Sequence, residues 1–87
     1  MPVKVYNLSY IKDLPKVIET GLTETSLVGL IDHLEAEYKS DIKQILLAGD
    51  RLAERARVTV NGRQVRDLEA DIPDNSQVMF SLMLPGG

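Results

Sequence analysis

The chain has 87 residues, 44% of them hydrophobic and 26% charged, with a net charge of −3 and no cysteine. That length holds one domain, and the balance is that of a folded protein rather than a disordered one. No apolar run approaches the roughly 20 residues that cross a bilayer, no basic-then-apolar leader opens the chain, and thiolate or disulfide chemistry is excluded, so the expectation is a cytoplasmic protein with no membrane partner. The acidic balance argues against nucleic acid as the main partner. The cations are nevertheless segregated, all five Lys at or before Lys43 and all five Arg between Arg51 and Arg66.

Residues 3–11, rich in Val, Tyr, Leu and Ile, predict a strand. Val3 and Val5 give one inward phase, Leu8 and Tyr10 the other, and a bulge near Asn7 would reconcile them. Lys12-Asp13-Leu14-Pro15 supplies turn residues, and Lys16-Val17-Ile18-Glu19 completes a hairpin. Leu27, Leu30, Ile31, Leu34 and Tyr38 recur at helical spacing, an apolar stripe that must face a sheet, with Thr25 as the expected N-cap. Ser40 is placed to cap a short second helix carrying Ile42, Ile45 and Leu46, and Gly49 to end it. Residues 50–56 form a polar connection with Leu52 as its only large apolar residue. Arg57-Val58-Thr59-Val60 predicts a strand, Asn61-Gly62 a type I′ turn, and Gln64-Val65 the return strand. Leu68 and Ile72 are expected to anchor a loop on the core, before Asp74-Asn75-Ser76 turns the chain into its last strand.

That last strand, Gln77-Val78-Met79-Phe80-Ser81-Leu82-Met83, is apolar on both faces and so belongs in the middle of a sheet. Val78, Phe80 and Leu82 should face the helix. Met79 and Met83 are left on the opposite face, where no second helix layer supplies cover, and flexible thioethers there suit a partner surface. After it comes Leu84-Pro85-Gly86-Gly87. Pro85 lacks an N–H and should stop strand pairing, and Gly86 and Gly87 lack the Cβ that would bar a narrow channel. Four extended residues reach about 13–14 Å, enough to enter another protein's active site. The division is thus a folded domain over 1–83 and a tail over 84–87. A hairpin, a helix and strands that return to one sheet make an α+β arrangement.

Over nearly its whole length the chain resembles the β-grasp, ubiquitin-like sulfur carriers, and is most similar to the small subunit of molybdopterin synthase (MoaD/ThiS-like). The residues that carry this are the hairpin Val58-Thr59-Val60-Asn61-Gly62, the helix segment Leu30-Ile31-Asp32-His33-Leu34-Glu35-Ala36-Glu37-Tyr38, the short helix after it, and the ending from Asp74 to Pro85-Gly86-Gly87. The tail departs from the family, which often carries a Pro-Pro-Val-like stretch where this chain has Leu82-Met83-Leu84 and Pro85. The resemblance implies a mixed sheet on one main helix plus a short second one. It also implies a carrier that is not catalytic alone. An E1-like adenylating enzyme (MoeB/ThiF-type) would use ATP to convert the Gly87 carboxylate to an acyl-adenylate, and a sulfur donor would turn that into a thiocarboxylate. The tail would then enter the molybdopterin synthase large subunit, or an equivalent sulfur acceptor. No cofactor or metal is bound permanently in this reading. The alternatives are a carrier for thiamine, cysteine or tRNA thiolation, a modifier conjugated to lysines through Gly87, and a plain interaction domain.

Other signals are weaker. His33, the only histidine, reads as a solvated helix residue without a second ligand beside it. Asp32, Glu35 and Glu37 read as the wet face of the helix. The arginines between Arg51 and Arg66 lack the interleaved aromatics of a nucleic-acid surface.

Overall fold

The computed structural model describes residues 2–8 and 14–82. The first strand, β1 (Lys4–Asn7), pairs antiparallel with β2 (Val17–Glu19). A two-residue strand β3 (Thr25–Ser26) leads into α1 (Leu27–Tyr38), followed by α2 (Ile42–Leu46). The short strands β4 (Leu47–Ala48) and β5 (Arg51–Leu52) pair with each other. Next come β6 (Ala56–Val60), β7 (Arg63–Val65), β8 (Asp71–Ile72) and β9 (Gln77–Leu82).

The main sheet has the order β2-β1-β9-β6-β7. The last strand therefore lies in the middle, parallel to β1 and antiparallel to β6, the central position expected for it. A terminal strand inserted between two hairpins, with a helix across one face, is the β-grasp architecture. Leu27, Leu30, Ile31 and Leu34 of α1 are fully buried, together with Val5, Val58, Val78 and Phe80 from the sheet and Ile42 and Leu46 from α2. Tyr38 and Ile45 are half-buried at the edge of this core.

Several local expectations need correction. The N-cap of α1 is Ser26, whose Oγ accepts the Gly29 N–H at 3.1 Å. Thr25 is drawn one residue back into pairing with Ile72, so it is not at the cap position. The N–H groups of Leu27 and Val28 go to the carbonyls of Ala70 and Leu68, at 3.0 and 2.9 Å, so the loop before β8 closes the helix end. Asp41, not Ser40, stands at the cap of α2, and its carbonyl takes the first helical bonds while its side chain makes none there. Gly49, at φ +72, does not end α2; it makes the turn between β4 and β5, in the left-handed conformation that glycine adopts without strain.

The bulge expected near Asn7 is absent. The parallel register runs unbroken from Lys4↔Gln77 to Asn7↔Phe80, so Val3, Val5 and Asn7 share the buried phase. Asn7 tolerates burial because its amide Nδ2 donates to the Leu14 carbonyl at 3.4 Å. Leu8 is consequently left outside, 56% exposed. Tyr10, Ile11, Lys12 and Asp13 lie outside the described residues.

The Asn61-Gly62 turn is as its sequence predicts. Both residues have positive φ, 53° and 85°, and β6 and β7 close around them in the register Val60↔Arg63. Ile72 is buried and Leu68 packs at the margin of the core, so these two anchors stand where they were expected, and Leu52 is buried as well.

Candidate functional site

Alternation along β9 divides its side chains between two environments. Val78 and Phe80 point into the core with no exposure, and Leu82 continues that phase half-buried against the core. Gln77, Met79 and Ser81 take the opposite face. The register there aligns Val17, Tyr6, Met79, Thr59 and Gln64 in one row across all five strands. Met79 is 37% exposed and Val17 48%. Leu8 follows Asn7 at the end of β1, where its N–H donates to the Phe80 carbonyl at 2.9 Å and extends the parallel ladder. Leu8, Val17 and Met79 are the exposed large apolar side chains among the described residues, and all three fall on or beside this uncovered face. Scattered exposed leucines are ordinary, but three on one side of a sheet form a surface suited to a partner.

Met79 was expected on this face; Leu8 and Val17 were not. The signal for Leu8 was present: uninterrupted alternation from Val3 through Val5 puts position 8 outside. Thr59 lies in the same row, and its Oγ1 is shielded from solvent with no hydrogen-bond partner among the described residues. Met83, Leu84, Pro85, Gly86 and Gly87, the other expected site residues, lie outside the described residues.

The end of β9 is held firmly. Ala56 pairs with Leu82 and Arg57 with Ser81. The segment leading into Ala56 is clamped by two guanidinium groups. Arg66 donates to the carbonyls of Ala56, Ala53 and Leu52 at 2.9, 3.1 and 3.5 Å, and Arg57 to those of Glu54 and Ala56 at 2.9 and 3.2 Å. Part of the arginine cluster is thereby used on the protein's own backbone. Arginine's fixed fork of donors suits it to holding several carbonyls together.

On the helix side the electrostatics are different. Lys43 reaches Asp32 and Glu35, and the hydrogen bond to Asp32 raises its pKa, with both carboxylates adding to the effect against desolvation. His33 is half-buried beside Glu37 and Tyr38, where they line a shallow groove with Glu19 and Thr20. Among the described residues no three His, Cys, Asp or Glu side chains converge as a metal site, and no helix is long and apolar enough to cross a membrane. The arrangement thus offers a surface and a well-anchored final strand, and no assembled acid–base or nucleophilic constellation among the described residues.

Solved structures share this fold. A chain of the BexX/CysO complex from Amycolatopsis orientalis superposes with a TM-score of 0.80 at 24% identity, over 98% of this chain and 99% of that one. SAMP1 from Haloferax volcanii matches over the full length of both chains, with a TM-score of 0.78 at 11% identity. The solution structure of the Haloferax volcanii HVO 2177 protein gives 0.76 at 22%, over all of this chain and 87% of that one. The fold is the ubiquitin-like β-grasp. No family model matches the chain, and no match among curated proteins reaches significance. At these identities the likeness establishes the fold, and the function has to be argued from the site.

Proposed function

We propose that this protein is a sulfur carrier that works through the carboxylate of Gly87. The observation that carries the reading is the placement of β9. Among the described residues the last strand is the central one, its inner face is sealed into the core, its outer face carries the part-exposed Met79 between Gln77 and Ser81 with no helix over it, and Leu82, five residues before Gly87, is still paired with Ala56. A fixed strand end at Leu82 beside exposed apolar side chains supports a carrier that works through the residues after it. The full-length likeness to a chain crystallised in the BexX/CysO complex supports a β-grasp domain of this size working with a partner.

Carboxylates are ionised at neutral pH and are poor electrophiles. The Gly87 carboxylate attacks the α-phosphate of ATP on an adenylating enzyme, and pyrophosphate leaves. Hydrosulfide supplied by a sulfur donor then attacks the acyl-adenylate carbonyl, AMP departs, the S–H proton goes to solvent, and a thiocarboxylate remains. Leu84, Pro85, Gly86 and Gly87 supply reach and a slim profile, and the face bearing Met79, together with Met83, supplies docking. The adenylating and accepting enzymes bring the catalytic groups. The acceptor proposed first is a molybdopterin synthase large subunit; acceptors in thiamine, cysteine or tRNA thiolation use the same carrier chemistry.

The test is incubation with ATP, an E1-like adenylating enzyme and a sulfur donor, read by intact mass. A gain of about 16 Da, oxygen replaced by sulfur, supports the carrier. A mass matching a lysine conjugate would instead support a protein modifier, and an unchanged mass would overturn both. Adding a molybdopterin synthase large subunit with its pterin precursor then identifies the acceptor, because sulfur delivery restores the original mass.

A further inference from the structure

Asn61-Gly62 shapes the β6–β7 turn, and the structure gives the Asn61 side chain a second task. Its Oδ1 accepts the Gln77 N–H at 2.8 Å, and its Nδ2 donates to Ser76 Oγ at 3.3 Å. The Gln77 N–H can only donate, which settles the orientation of the amide. The Asn61 backbone N–H donates to the Gln77 carbonyl at 2.8 Å. Asn61 therefore bonds both backbone groups of the first residue of β9. Ser76 is itself held, 1% exposed, with its hydroxyl donating to the Pro73 carbonyl at 2.6 Å.

Asn followed by Gly is also chemically vulnerable. The Gly62 amide nitrogen, after losing its proton to base in solvent and with no neighbouring side chain to hinder it, can attack the Asn61 side-chain carbonyl carbon. The new N–C bond closes a five-membered succinimide, the C–Nδ2 bond breaks, and nitrogen leaves as ammonia after taking up a proton from solvent. Water then opens the ring at either carbonyl, giving aspartate or isoaspartate. The attack requires the carboxamide to swing over the Gly62 nitrogen. In the folded turn that motion would break the bonds to Gln77 and Ser76.

We propose that Asn61 is a deamidation site gated by the fold, silent while the hairpin is seated on β9 and reactive when it opens. The consequence falls on the strand that leads to the tail. Aspartate at this position keeps an acceptor for Gln77 but sets a carboxylate against Ser76 Oγ, whose proton is already committed to Pro73. Isoaspartate adds a backbone carbon to a two-residue turn and disturbs the register it defines, because register in a hairpin is set by its loop. Opening is thus recorded as a permanent covalent change.

The experiment is long incubation of the intact protein at mildly alkaline pH, folded in buffer and unfolded in urea, with peptide mapping for a gain of about 1 Da and for isoaspartate. In urea, Asn61 should convert faster than Asn7 or Asn75. In the folded protein its rate should fall at least tenfold, as expected for a reaction that proceeds through a local opening costing about 1.4 kcal/mol or more. Equal rates with and without urea would overturn the gating. Faster conversion at Asn7 or Asn75 in urea, or none at Asn61, would overturn the assignment of the site.

Discussion

Within β9, Val78 and Phe80 are withdrawn from solvent altogether, whereas Met79, between them, keeps 37% of its surface exposed. The two faces of this strand have the same neighbours, β1 and β6, and the same backbone hydrogen bonds. They differ in what lies opposite. One face meets α1 and α2, and the other carries no helix among the described residues. Apolar residues on the first are accounted for by the fold. On the second, Met79 with Val17 and Leu8 lies outside the core, and the proposed docking role would account for it.

The comparison can be broken most forcefully from the inside. Phe80→Ala should cost about 3–5 kcal/mol, a large part of a small domain's stability, and lower the melting temperature by more than about 12 °C. Circular-dichroism melting checks it, and a stable variant would mean that the helix is not seated on β9. The outer face should respond with the opposite sign at Thr59. Thr59→Val replaces a shielded hydroxyl lacking a partner among the described residues with a methyl group, and should raise stability by about 1 kcal/mol in urea unfolding. Met79→Glu should change stability by less than about 0.5 kcal/mol while weakening the complex with an adenylating enzyme, because docking would bury an unpaired carboxylate. Calorimetry reads the binding and melting reads the fold, so a variant that loses stability instead would mean that the two faces are misassigned.

The smallest effect belongs to the helix side. Asp32 and Glu35 raise the Lys43 pKa, so the folded chain holds that proton more tightly than the unfolded one. The stabilisation is therefore complete below lysine's ordinary pKa and is lost as pH rises through the raised value. Lys43→Gln should lower stability slightly at neutral pH and not at all in strong alkali, as urea titrations at the two pH values would show. The effect is small because all three groups are substantially exposed and screened.

Much of this was legible beforehand, where several residues repeated one message. The stripe from Leu27 to Leu34 gave α1, Asn61-Gly62 gave the hairpin, and a strand apolar on both sides gave the central position of β9. What was not legible depended on choices between adjacent, chemically similar residues. Thr25 and Ser26 are both good caps, and only the pairing of Thr25 with Ile72 decides between them. The strands β3, β4, β5 and β8 have two residues each, too short for any periodicity to register. Leu8 was misread because a polar residue, Asn7, takes the buried position before it, supported by a carbonyl seven residues away. The Arg66 clamp has no local signature, since its acceptors are main-chain oxygens brought near by folding.

The central claim is that the fold serves the Gly87 carboxylate, and it is tested most directly by moving that group. A variant lacking Gly87 and one carrying a single extra residue after it should melt like the parent protein, because neither alters a residue of the described core. Each displaces the reacting carbon by about 3.5 Å along the chain, where errors near 1 Å already cost catalysis heavily. Intact mass after incubation with ATP, the adenylating enzyme and a sulfur donor should show the gain of about 16 Da for the parent and none for either variant. Equal sulfur incorporation into the untrimmed extended variant would contradict the account.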